Sequence, residues 1–447
     1  MEIFDAHQHV ITTYREDAAK WDHEYRTRVD VMEENGIHMA AAPAWWFVTQ
    51  DALDRTTASL PRLLYERMDE LGLDFTVLYP SNTMSFMSLP DAGELRQVLC
   101  RAANTYLADV YRDYADRMTP VALIPTTTPT EAIEELEHAV RVLGHRAVAL
   151  SSYAHRAVTW STSGLAEEPF NGRPDYLALD SEYDYDPVWA KCLELGVPVT
   201  AHSPLHGFGT NRSVSTYMYN HLGQLAASGQ AFCKALFFGG VTRRFPRLKF
   251  AFMECGVGWA CALYAGIIGN WEKRNIGVVE RLNPANLDLD LVMGLVEQYA
   301  DDRIKGKQDA LRDYFGTATM APEMRDDWRR CGIEKAEDIR DLFVPSFYFG
   351  CEADDRLNPW AFNDKLNPFG ARLNALFGSD IGHWDVPDMR NVVAEAYELV
   401  EEGHITEDDL RDFTFANPVR FFGGTNPDFF KGTRVEAEAA KLLASDS

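Results

Sequence analysis

The chain has 447 residues, enough for an α/β barrel of about 250 residues with sizeable insertions. Hydrophobic residues make up 46% and charged residues 25%, the balance of a globular protein with a buried core. A net charge of −25 argues against nucleic acid or an anionic membrane as partner, since both need local positive charge.

Short apolar runs alternate with longer helix-like segments, a pattern that points to a parallel α/β architecture. In chain order the candidate strands are Glu2 to Ala6, Phe75 to Tyr79, Thr119 to Ile124, Ala147 to Leu150, Val197 to Ala201, Leu248 to Met253, Leu342 to Phe349 and Leu373 to Phe377. A helix is expected over Glu131 to Leu143, after a Thr/Pro turn. Eight strands with polar or ionisable residues just after many of them fit a (β/α)8 TIM barrel, which carries its chemistry at the C-terminal strand ends. An open doubly wound sheet is the alternative. The whole chain, 1–447, is expected to form one barrel domain with loop insertions at about 11–65 and 270–340. These would cover the barrel mouth or form a subunit contact; the first contains Trp45-Trp46-Phe47.

The seven cysteines show no CxxC pair and no regular spacing, so neither a disulfide framework nor a cysteine zinc site is expected. The first residues lack a basic start and a long apolar run, and no stretch of 18 apolar residues occurs. No secretory signal or membrane span is therefore expected, and the cytoplasm is the simplest compartment.

His7 and His9 end the first run. Residues i and i+2 of a strand face one side, so two imidazoles point together as a chelating pair. His202 ends the fifth run and Asp380 follows the eighth. Taken singly, a lone HxH is often accidental, His202 could be a satisfied core histidine and Asp380 a helix N-cap. Together the four make a mixed nitrogen and oxygen site for one divalent ion, with zinc expected and manganese as the alternative.

The ordered pieces DAHQH (5–9), GLDFTVLYPS (72–81), YDPVWAKCLELGVPVTAH (185–202), GGVTRRFPRLKFAFMECGVGW (239–259), LFGSDIGHW (376–384) and NPVRFFG (417–423) resemble the amidohydrolase-related metal-dependent family. The similar branch includes aminocarboxymuconate-semialdehyde decarboxylase and resorcylate-type decarboxylases. The resemblance implies His7, His9 and His202 as metal ligands and Asp380 as ligand or proton acceptor. One position departs from it: many members carry a histidine after the sixth strand, where this chain has Glu254. Glu254 could replace that histidine, ligate the ion, or be a structural acid.

His383 is a candidate for proton transfer or substrate contact, with a surface-loop histidine as the alternative, and Glu352 for orienting a histidine, with a solvated loop acid beside Asp354-Asp355 as the alternative. His206 is a lesser candidate for reaching the pocket. Trp259 and Trp384 could form an aromatic wall or pack in the core, and Asn220-His221 lacks a coherent set of partners. No Walker loop, Rossmann GxGxxG, GxSxG elbow or HExxH occurs.

The leading expectation is a metal-dependent hydrolase acting on a small cyclic or carboxylated molecule. In it Asp380 is the proton acceptor, with Glu254 or His383 assisting. The alternative is a metal-dependent non-oxidative decarboxylase of an aromatic or enoic acid; a ligand-binding barrel without catalysis is the third reading. The partner is a small-molecule substrate, and a homodimer is the default assembly.

Overall fold

A computed structural model describes residues 51–88, 93–156, 173–202, 217–316 and 325–446. Seven parallel strands form one sheet: β1 (Thr76–Leu78), β2 (Met118–Ile124), β3 (Ala147–Leu150), β6 (Val199–Ala201), β7 (Phe250–Phe252), β8 (Phe347–Glu352) and β9 (Asn374–Gly378). They pair in that order, each neighbour parallel. An antiparallel pair, β4 (Ala154–Arg156) with β5 (Arg173–Asp175), lies outside this sheet. The fold is a (β/α)8 barrel. Seven of the eight expected strands coincide with these, and the run at 2–6 lies outside the described residues.

Alternation along the strands separates two apolar layers. Ala122, Ile124, Val148, Leu150, Phe250, Phe252, Phe347 and Phe349 pack in the large cluster shared with the helices. Val121, Leu123, Ala147, Ala149, Ala251, Tyr348 and Leu376 join a second cluster with Phe421, Phe422 and Phe429. This second set fills the barrel interior from below. Lys249 and Arg146 stand just before β7 and β3; the Lys249 ammonium donates to Arg420 O, and Arg146 donates to Phe429 O at 2.9 Å. Tyr348 lies 5.0 Å from the Phe421 ring. The segment around the Asn417–Thr425 helix thus closes the N-terminal end of the strands and leaves the C-terminal end for chemistry.

One small apolar cluster draws on both ends of the sheet. Met118 of β2 shares a cluster with Leu64, Met68, Leu71 and Met389, against which Leu78 of β1 and Ile381 after β9 also pack. The helices Ala52–Ser59 and Pro61–Arg67 lie at this seam. Buried Asp54 takes Arg67 at 2.8 Å and accepts from Met389 N at 3.0 Å, tying both helices to the chain after β9.

Two boundaries differ from expectation. The seventh run begins as helix Ala336–Phe343, and the strand is delayed to Phe347–Glu352. Asp338 accepts from Glu334 N and Lys335 N at 2.9 and 3.0 Å, and buried Ile339 and Phe343 have helical spacing. The helix expected over 131–143 starts at Pro129 behind a Thr128–Glu131 capping box and widens to a π-turn over His138–Val142.

Within the 270–340 insertion the described helices are Ile276–Arg281, Leu289–Tyr299 and Gln308–Gly316. Trp328, Cys331 and Ile333 return the chain to the large core. Among the described residues no helix is long and apolar enough to cross a membrane. All seven cysteines are buried as free thiols.

Candidate active site

His202 follows β6 directly and is 9% exposed, its N–H held by Leu150 O at 3.0 Å. Strand parity puts it with Thr200, opposite the helix-facing Val199 and Ala201, so the imidazole faces the barrel axis. Its Nε2 lies 2.8 Å from Glu254 Oε2. Parity alone would send Glu254 outward with Phe250 and Phe252. Instead β7 stops at Phe252, and Glu254 adopts a left-handed φ of 55°. Met253 N still bonds Ala201 O at 2.9 Å, while Cys255 N and Gly256 N both donate to Gly350 O, at 3.1 and 3.0 Å. The backbone is thereby pinned on both sides of Glu254.

Asp380, two residues beyond β9, also has a left-handed φ, 44°. Its carboxylate lies 2.8 Å from His383 Nδ1. Glu254, Asp380 and His383 each present a ligand atom, and these atoms all lie within 4.8 Å of one another. Glu352, at the end of β8, stands close enough to feel Asp380, Asp385 and Glu254.

The electrostatics follow from burial and crowding. Burial, joined by the charges of Asp380, Asp385 and Glu254, pushes the Glu352 carboxyl up to about 8. Burial likewise raises Asp380 to about 6; the His383 hydrogen bond offsets part of this, and Glu254 and Asp385 add to it. For His383, burial works downward, but the Asp380 hydrogen bond and the charges of Asp380, Glu254 and Asp385 win, and its pKa rises to about 9. Burial works upward on Glu254, yet the His202 hydrogen bond and the charges of His202, His383 and His221 hold it below the usual carboxylate value. Carboxylates held up by their neighbours are what a cation would relieve, and the donor set of imidazole and carboxylate suits a divalent ion.

The structure thus brings together His202, Glu254, Asp380 and His383. His7, His9 and His206, like Trp45-Trp46-Phe47, lie outside the described residues. Two readings are corrected, for Glu352 and His221, and for Trp259 the structure bears out core packing, one of its two expected roles. Glu352 makes no side-chain hydrogen bond to a histidine among the described residues; it sits among other carboxylates. Trp259 is not a wall of the site: it packs edge-on against Phe252 and Phe349, at 5.7 and 5.4 Å, on the helix side of the sheet. His221 does have partners, with its ring 5.8 Å from Trp384 and its Nε2 3.8 Å from Asp385 Oδ2. Asp385 was the residue sequence reasoning missed; its proximity to the DxxH spacing of Asp380 and His383 was the available signal.

The family model described as Amidohydrolase matches residues 4–274. The chain belongs to the amidohydrolase family. In fold it is similar to an amidohydrolase family structure from Mycobacterium avium subsp. paratuberculosis K-10, at 18% identity and a TM-score of 0.50, covering 88% of this chain and 83% of that one. It is also similar to a dihydroxybenzoic acid decarboxylase from Polaromonas sp. JS666 with bound manganese and 2-nitroresorcinol. That match has 17% identity and a TM-score of 0.48, over 82% of this chain and 86% of that one. In sequence, decarboxylase orsB of Emericella nidulans is 28% identical over 164 residues, which span 34% of this chain and 42% of that protein. The chain therefore matches less than half the length of this curated relative.

Proposed function

We propose that this amidohydrolase family enzyme is a metal-dependent carboxy-lyase that removes carbon dioxide from a small hydroxylated aromatic or enoic acid. The observation that carries the reading is the convergence of Glu254, Asp380 and His383 at the C-terminal ends of β7 and β9, with ligand atoms within 4.8 Å. The regional similarity to a decarboxylase supports it.

His202, Glu254 and Asp380, joined by His7 and His9, would hold one divalent ion. Bound there, the ion would supply the positive charge that draws in a substrate carboxylate and a neighbouring oxygen. The mixed imidazole and carboxylate donor set admits manganese beside the zinc expected from the sequence. His383 is the acid. Its Nδ1 is held by Asp380 at 2.8 Å, which orients the ring and stabilises the imidazolium. As the bond to the leaving carbon dioxide breaks, its electron pair stays on the substrate carbon, and the His383 proton moves to that carbon. Glu254 fixes His202 through their 2.8 Å contact.

Hydrolysis, the leading expectation from sequence, stands second. One observation favours it: the Asp380 carboxylate stands 2.8 Å from His383 Nδ1, a pair suited to accepting and returning a water proton.

The test is a paired assay on protein of measured metal content. Carbon dioxide and the matching phenol should form from 2,6-dihydroxybenzoate or a related hydroxybenzoate, and Asp380→Ala should lower the rate at least about 100-fold. His383→Gln should lower turnover with bound metal retained. Turnover of amides or lactones without carbon dioxide release from any hydroxybenzoate would sink the carboxy-lyase reading in favour of hydrolysis.

A further inference from the structure

The helices of the second insertion are thinly packed. Across Ile276–Arg281, Leu289–Tyr299 and Gln308–Gly316, of 6, 11 and 9 residues, only Met293 is buried. Helices this short are marginal in water unless an apolar face is packed. The two longer ones lie against each other, joined by Arg312 to Asp290 at 2.7 Å and Gln308 to Glu297 at 2.5 Å. The Leu289–Tyr299 helix turns Met293 inward, with half-buried Leu289, Val292 and Val296 on the same side. On its other side Leu291, Leu295 and Tyr299 are 59%, 46% and 73% exposed. Apolar residues on both sides mark a helix that is covered on both. Exposed Leu282 and Leu287 precede it. These five side chains leave on the order of 600 Å² in water, where a standard interface covers about 800 Å² per partner with an apolar core and a polar rim.

The two ends of this helix differ in charge. Asp288 and Asp290 stand at its start, and the turn after it carries Arg303, Lys305 and Lys307 against Asp301 and Asp302. A surface that is apolar in the middle and opposite in sign at its ends is complementary to itself under a two-fold axis. Antiparallel pairing sets each acidic start against the other copy's basic turn; parallel pairing would set acid on acid. A Cβ at Gly294 would meet nothing within 4 Å, so midway along the face a second backbone can come close. We infer that the chain forms a two-fold dimer in which the Leu289–Tyr299 helices of two copies pair antiparallel, Leu291 of one against Tyr299 of the other, with Gly294 and Leu295 beside the axis. The pairing does not depend on the reaction. It gives the homodimer expected by default a specific surface.

Analytical ultracentrifugation of the full chain at micromolar concentration tests this. The wild type should sediment at twice the chain mass of 50.5 kDa. Leu291→Lys combined with Leu295→Lys should halve that mass with an unchanged circular dichroism spectrum, because both positions are exposed in the single copy. Gly294→Cys supplies a second readout that does not rely on the lysine variant folding. All seven native cysteines are buried, so mild oxidation with copper phenanthroline should link this variant, and not the wild type, into a covalent dimer. A dimer that survives both lysines and leaves the Gly294→Cys variant unlinked overturns the surface. A wild type that sediments at the chain mass overturns the dimer. If the thiol introduced into that monomer also resists maleimide, the occupant is a segment of the same chain outside the described residues, not a second copy.

Discussion

Glu254 and Asp380 are both non-glycine residues with positive φ, 55° and 44°, a region costing about 1–3 kcal/mol for such residues. The strain is held by neighbours: the paired bonds to Gly350 O behind Glu254 and the His383 contact at Asp380. Titration of the metal-free protein follows from the same crowding. Glu352 and Asp380 have raised pKa values, about 8 and about 6, so the native state binds more protons than the unfolded chain between their ordinary values and those. Stability then falls as pH rises through that window. His383, raised to about 9, contributes stability that is full below about 6.5 and is lost as pH rises towards 9. All three act in one direction, so the chelator-treated protein should melt several degrees lower at pH 8 than at pH 5.5. Glu254, held low, adds stability lost only in acid, as pH drops below the usual carboxylate value. Differential scanning calorimetry across that range checks this, and Glu352→Gln should flatten the slope. An unchanged slope in that variant would remove Glu352 as a source of it.

At the scale of elements, the site depends on close packing of β7 and β8 where both leave the sheet. A Cβ at Gly350 would come 3.0 Å from Met253 Cα and 3.2 Å from Glu254 N. Both of those are backbone atoms and cannot swing aside. Gly350→Ala should therefore push the β7 exit away, costing about 1–3 kcal/mol and weakening metal binding along with it. Chemical denaturation and metal titration of one preparation separate the two effects; stability lost without any change in metal affinity would show that the β7 exit tolerates the shift. The loop after β9 is held similarly from outside. Gly382, at φ 102°, leaves no room for a Cβ against Ala58 of the Ala52–Ser59 helix, 2.7 Å away. The described part of the first insertion thus backs the loop that carries Asp380, His383 and Asp385.

For the molecule as a whole, the two ends of the barrel do different work. The lower end is closed by Phe421, Phe422, Phe429 and Phe430, with Phe422 and Phe429 stacked 4.6 Å apart. Phe421→Ala should cost about 3–5 kcal/mol, the usual loss for a buried aromatic. Because the plug lies at the opposite end from the site, metal affinity of the folded fraction should stay as in the wild type, which urea melts and metal titration together would check. The second insertion is a distinct surface. On the Leu289–Tyr299 helix only Met293 is buried, while Leu291, Leu295 and Tyr299 are exposed at four-residue spacing.

Much of this was legible in the amino-acid sequence because strand periodicity and strand-end polarity are local signals. Seven strands, His202 and Asp380 at strand ends, and the nearness of His383 to Asp380 follow from neighbours a few residues apart. What only the tertiary structure decided lies between distant segments. Parity reads Glu254 outward, and the left-handed turn pinned by Gly350 aims it at His202. Glu352 reads as a partner for histidine, and only the packing of β8 beside β7 and β9 sets it among carboxylates. His221 and Asp385 are 164 positions apart, and no pattern along the chain links them until the barrel closes. Local pattern determines which residues reach the mouth of a barrel; packing across strands determines which of them meet, and in which charge state.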